Sequence, residues 1–251
     1  MNATATLVGD IAPIDHDEAM ALAEAEYGRL LDAVEALELE HWTRPTDCTN
    51  WDVKAILAHL LGMMERLGDP DEAARQDAAT TARVATTAEA RIDALTALQV
   101  ERHHAKSPDE LAAALRTAMP GAVAGRRNTT PEVRAAPFDP GPPFEGAWTL
   151  GYLLDVILTR DPWMHRVDIA RATGAQLVLS TGHDGRLVAD VVAEWARRHD
   201  QPFTLVLTGP AGGTYASGTG GQRYELDAVE FCRILSGRGR GEGLLAHEVP
   251  F

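Results

Sequence analysis

The hydrophobic pattern of this chain changes period once, and that change limits the folds open to it. From Asp15 to Gly174 apolar side chains return every three or four residues. Beyond Ala175 they come in short runs of strand length, separated by glycine and two further helical stretches. A spacing of 3.6 belongs to helices packed by one face, and a spacing of two to half-buried strands. The expected class is therefore mainly α followed by α+β. The expected organisation is a flexible leader over 1–14, a helical domain over 15–174 and a small α+β domain over 175–251.

Within the helical part, Met20, Ala23, Tyr27, Leu30, Leu31, Val34 and Leu37 predict one helix from Asp15 to about His41. TRPTDCTN breaks it. Thr49 and Asp52 stand in capping-box positions for a second helix, which runs to about Leu67. GDPDEAARQ is expected as a short helix or loop, and another helix covers about 87–104. Ser107, Pro108 and Glu110 then suit N-cap, first and third positions of a helix ending near Pro120. Residues 120–147, rich in Pro, Gly and Arg, are expected as a long ordered loop, and a last helix spans about Thr149 to Gly174. In the C-terminal part LVLS, FTLVLTG, TYASG and RYELD read as strands. DGRLVADVVAEWARRH and AVEFCRILSG read as helices, the latter capped by Asp227 with Glu230.

Charge narrows the partners. The net charge is −14, from 23 basic and 37 acidic residues, and this field repels nucleic-acid phosphates and anionic membranes. No stretch reaches the length of a membrane span. The N-terminus lacks the basic and apolar regions of a signal peptide, and two distant cysteines, Cys48 and Cys232, form no disulfide framework. A reducing cytoplasm is the expected location, with both cysteines as buried filler.

Few residues offer chemistry. His59, mid-helix in AILAHLLG, is either a hydrogen-bonded core residue or a ligand. Asp161 and His165 lie four apart in TRDPWMHRVDIA, so adjacent turns of one helix face can grip a cation between them. The other reading is a surface ion pair flanked by arginines. Asp168, on the same side, can hold the second imidazole nitrogen. Pro162 sits inside this helix, where it costs on the order of 3 kcal/mol or produces a kink. The glycines of TGPAGGTYASGTGG fit neither a P-loop nor a dinucleotide fingerprint, and no serine elbow occurs.

HWTRPTDCTNWDVKAILAHLLG resembles the first-to-second-helix region of the mycothiol-dependent maleylpyruvate isomerase family, within the wider DinB-like group. Trp42, Pro45, Thr46, Cys48, Trp51, His59 and Leu60 stand where that family has its W-x-x-P-T-x-C-x-x-W…H-L pattern. RDPWMHRVDIARATG resembles its later carboxylate-x-x-x-His segment, and the tail resembles the sterol-carrier-like domain often appended to it. The resemblance implies a DinB-like four-helix bundle. It implies one divalent metal, usually zinc, on His59, Asp161 and His165. The studied isomerases have Glu where Asp161 stands.

Three such ligands leave a coordination position open. The resemblance thus implies a metal-dependent thiol transferase or isomerase, with mycothiol as cosubstrate and a small electrophile as substrate. The excess of 21 Arg over 2 Lys is consistent with a GC-rich actinobacterial source. Arg160 and Arg166 are candidates for holding the thiol cosubstrate and Arg238 for a catalytic role, since guanidinium forks suit carboxylates and amides. The alternatives are a metal-dependent hydrolase, and a non-catalytic small-molecule binder with a structural metal.

Overall fold

The protein, analysed as a computed structural model, is described over residues 5–144 and 146–251. It divides into two compact units. One is Asp15–Ala175; the other joins Gln176–Phe251 to the segment before Asp15.

The helical unit comprises α1 (His16–Glu35), α2 (Val53–Gly68), α3 (Pro70–Thr87), α4 (Arg91–His103), α5 (Pro108–Arg127), the short α6 (Pro131–Arg134) and α7 (Leu158–Thr173). Its core joins Tyr27 and Leu30 of α1, Ile56, Leu57 and Leu61 of α2, Leu111 and Leu115 of α5 and Ile169 of α7. Tyr27 and Leu30 belong to the apolar stripe read from the spacing, and burial of such stripes is what stabilises helices of this length. Helices α1, α2, α5 and α7 form the bundle. The pair α3 and α4 packs against α2.

Several boundaries differ from expectation. The first helix stops at Glu35 rather than near His41, and a 3₁₀ turn over Leu39–Thr43 follows. Asp52 alone caps α2, accepting from the Ala55 N–H at 2.8 Å. The short element expected at GDPDEAARQ is the 18-residue α3, capped by Asp69 with Pro70 in its first turn. Pro120 does not end α5, which continues to Arg127. Pro120 and Arg116, the residue whose carbonyl loses its partner, are both exposed, so water can serve that carbonyl. The expected loop is thus eight residues shorter at its start. It also holds α6 and β2 (Pro137–Phe138), which pairs antiparallel with β3 (Trp148–Thr149) just beyond it. Glu145 lies outside the described residues.

Helices α2 and α5 approach closely at Gly125. A Cβ there would overlap the Leu67 carbonyl. Gly125→Ala must therefore separate the two helices, and we expect a loss of about 1–3 kcal/mol in denaturant unfolding, the range for overpacked cores.

In the other unit the sheet order is β1 (Thr6–Leu7), β5 (Gly213–Ser217), β4 (Phe203–Thr208), β6 (Gln222–Asp227). Strands β4 and β5 are antiparallel, while β1–β5 and β4–β6 are parallel. Helices α8 (Asp184–His199) and α9 (Ala228–Leu235) pack against this sheet around the fully buried Trp195. Two expectations are corrected here. LVLS is not a strand: Val178 is exposed, and the Ser180 N–H and hydroxyl instead bond the Asp184 carboxylate at the start of α8. The fourth strand comes from the segment expected as a flexible leader, where Thr6 and Leu7 pair with Tyr215 and Ala216. Residues 1–4 of that leader lie outside the described residues. Among the described residues no helix is long and apolar enough to cross a membrane.

Candidate metal centre

Helix α2 brings His59 and helix α7 brings Asp161 and His165 to one point. Their donor atoms lie within 4.8 Å of one another. The carboxylate sits between the rings: His165 Nε2 is 3.3 Å from Asp161 Oδ1, and His59 Nε2 is 3.7 Å from Asp161 Oδ2. Both imidazoles are buried, and Asp161 is the more exposed member, with a fifth of its side chain accessible. Trp51 lies beside both rings, at centroid distances of 5.2 Å from His59 and 6.2 Å from His165.

The outer nitrogens are already committed. His59 Nδ1 donates to Gln99 Oε1 at 2.8 Å. His165 Nδ1 donates to Asp168 Oδ2 at 3.1 Å, as the i,i+3 spacing suggested. With both Nδ1 atoms acting as donors, both Nε2 atoms face an acceptor-only carboxylate, a contact that needs a proton or a metal ion between the partners. Three lone-pair donors facing one another repel unless a cation stands among them. The donor set, two imidazoles and a carboxylate with oriented outer nitrogens, fits a divalent ion of the zinc type.

The electrostatics agree. Burial pushes the Asp161 carboxyl up, but the charge and hydrogen bonds of His165 and His59 overcome it and hold the group well below the usual carboxylate range. Burial pushes His165 down, yet Asp161, Asp168 and Cys48 raise it well above an ordinary histidine. A proton satisfies this cluster in the absence of a metal, as a cation should.

Pro162 produces neither of its expected effects in an obvious form. Helix α7 runs through it, preceded by a π-helical stretch at Tyr152–Ile157. The Leu158 carbonyl, which Pro162 cannot serve, accepts from Arg126 Nη1 at 3.0 Å, and Arg126 Nη2 donates to the Thr159 hydroxyl at 2.6 Å. Irregular helical turns of this kind are frequent beside functional sites.

The expected guanidinium groups fare differently. Arg166 is not turned to a ligand: its Nε and Nη2 bond the two oxygens of the buried Glu26 at 2.6 and 3.1 Å. A carboxylate so placed commits that fork geometry to the bundle interior. Arg160 is buried, one position before Asp161. Arg238 belongs to the other unit, in the turn after α9, where its backbone bonds Arg233.

Two participants were missed in the sequence. Cys48, expected as filler, points its thiol at Asp168 Oδ2 (3.4 Å) and lies 3.9 Å from His165 Nδ1. Its place in the P-T-x-C pattern was the available signal. Gln99 carried no signal, because its partner lies 40 residues away.

A family model described as the mycothiol maleylpyruvate isomerase N-terminal domain matches residues 23–170, which include every residue of this cluster. No curated protein matches. Two solved structures of mycothiol-dependent maleylpyruvate isomerase, one of them a histidine-to-alanine mutant, share the fold at TM-scores of 0.57 and 0.58. Their sequences are 16% and 14% identical to this one, over 93% of this chain and 92% of each of theirs. The family match spans more than half of the sequence, and the chain is an enzyme belonging to the mycothiol maleylpyruvate isomerase N-terminal domain family.

Proposed function

We propose that the chain is a mycothiol-dependent isomerase or thiol transferase, acting on a small electrophile, with a divalent metal held by His59, Asp161 and His165. Zinc is the ion favoured by the donor set. The observation that carries the reading is the convergence of two Nε2 atoms on the Asp161 carboxylate, with both Nδ1 atoms already committed. Bound there, such an ion supplies positive charge that lowers the pKa of a thiol or water toward neutrality.

The chain's own residues orient and shield. Gln99 and Asp168 fix the two rings, and Trp51 and the surrounding bundle keep water from them. Asp161, the most accessible ligand, marks the side from which a cosubstrate can enter. For isomerisation, the sulfur of a thiolate adds to one carbon of a conjugated cis double bond. The former double bond rotates as a single bond. The carbon–sulfur bond then breaks, returning the thiolate and the trans alkene, so no oxidant or reductant is needed. For transfer, the carbon–sulfur bond is kept and a leaving group departs with its electron pair. Arg160 remains proposed to hold the thiol cosubstrate, and Arg238, in the other unit, keeps its proposed catalytic role. The C-terminal unit is proposed as the sterol-carrier-like domain of this enzyme, in the cytoplasm.

The test is a thermal-shift series of the full chain with zinc, mycothiol or both. Mycothiol should raise Tm only when zinc is present, because linkage requires a binding site in the folded state. Equal stabilisation by mycothiol in chelator-treated protein would overturn the role given to the metal. Hydrolysis of an ester without any thiol would favour a hydrolase.

A further inference from the structure

We propose that Glu72, which does not touch the metal centre, decides which nitrogen of His59 carries the proton, acting through Gln76 and Gln99 as positioning residues. The inference rests on the metal-site reading above and deepens it.

The argument is one of hydrogen-bond direction. Gln76 Nε2 lies 3.1 Å from Glu72 Oε1 and 3.0 Å from the Gly62 carbonyl. A carboxylate and a carbonyl only accept, so both protons of the Gln76 amide are used, and its oxygen must face the other way. That oxygen meets Gln99 Nε2 at 2.9 Å. Gln99 therefore presents its NH₂ to Gln76, with Met63 Sδ at 3.0 Å as a second acceptor, and turns its own oxygen to His59. An oxygen at 2.8 Å from His59 Nδ1 requires a proton on Nδ1. Nε2 is then left as the lone pair that a metal needs.

The chain is buried at its centre and anchored at its outer end. Gln76 and Gln99 are buried, which limits water as a substitute for a missing partner, while Glu72 stands at the edge of the cluster beneath the exposed Arg75 and Arg102. Burial works against the Glu72 charge, but hydrogen bonds from Gln76 and Arg75 and the charge of Arg102 more than offset it and hold the carboxyl below its ordinary range. Arg102 Nη1 is 2.8 Å and Arg75 Nη2 3.0 Å from this carboxylate. The close fit depends on Gly62: a Cβ there would sit 2.6 Å from Gln99 Cβ and Cγ. This assigns a purpose to α3 and α4, which supply Glu72, Gln76 and Gln99 from outside the four-helix core.

The test compares wild type, Glu72→Gln and Gln76→Met as full-length protein. Nitrogen-15 NMR of the metal-free imidazoles at alkaline pH reads the His59 tautomer, and zinc affinity is read by competition with a chromophoric chelator. Wild type should show a single Nδ1–H form. Both variants should show a mixture and bind zinc on the order of tenfold more weakly, the lower end of effects from outer partners of metal ligands. Gln76→Met leaves the Glu72–arginine cluster in place, so it tests the relay if Glu72→Gln folds poorly. An unchanged single tautomer with wild-type zinc affinity in either folded variant would overturn the proposal. A wild type that binds no zinc would instead overturn the metal reading, while the tautomer measurement would still decide the relay.

Discussion

Replacing His165 with alanine is expected to cut zinc affinity by about two to three orders of magnitude while leaving the helical content intact. The size follows from the ion's own energetics. Structural zinc binding is worth about 10–16 kcal/mol over four ligands, so one imidazole accounts for about 2.5–4 kcal/mol, and each 1.4 kcal/mol is tenfold. The fold should survive because the core of α1, α2 and α5 does not include His165. His59→Ala should behave alike, since its Nε2 faces the other oxygen of the same carboxylate. Asp161→Glu should weaken binding less than Asp161→Ala, as it keeps the charge. The short aspartate already reaches within 3.7 Å of both rings, so the added methylene must be taken up by a shift of α7. A ligand imidazole has to be deprotonated. Because His165 is raised well above an ordinary histidine, zinc affinity should go on rising with pH beyond the range where free histidine titrates. Full zinc content in His165→Ala, measured by elemental analysis, would dismiss the site.

The bundle was legible in the sequence because its signal is local. Periodic apolar residues and end caps such as Ser107 and Asp227 act within one turn, and the helices they mark are present. Asp161, His165 and Asp168 were legible for the same reason, being spaced three and four apart on one helix. What failed to show is set by distance along the chain. The strand at Thr6–Leu7 is two residues long and pairs more than 200 positions away, so it leaves no periodicity of its own. LVLS has strand composition but joins no sheet, because a run of apolar residues carries no record of whether an edge is free to receive it. Proximity to the motif suggests a ligand-binding role for Arg166, but its partner Glu26 lies 140 residues away. The tie between His59 and the remaining ligands came from resemblance alone, because no spacing within the sequence joins α2 to α7.

Arg126→Met is expected to destabilise the protein by about 2–4 kcal/mol, and by roughly half as much in a Pro162→Ala background. Arg126 is 1% exposed and bonds both the Leu158 carbonyl and the Thr159 hydroxyl. In an ordinary helix the amide of residue 162 would serve the carbonyl of residue 158. Proline has no such proton, so removing the guanidinium leaves a buried carbonyl with no donor, at about 1–3 kcal/mol, in addition to the lost bond to Thr159. Methionine keeps much of the volume, which limits any cavity contribution. Alanine at 162 restores the amide and gives the carbonyl a partner from within the helix. The double-mutant cycle should therefore show a coupling of about 1–2 kcal/mol between two residues that are not bonded to each other. Strict additivity in denaturant unfolding would show that the guanidinium does not stand in for the missing amide. The same turn carries Asp161. A loose Leu158–Pro162 segment lets that carboxylate wander, so Arg126→Met should also weaken zinc binding, whereas the double variant should recover it. Loss of zinc affinity in the double variant as large as in the single one would separate the stability of α7 from the placement of its ligand.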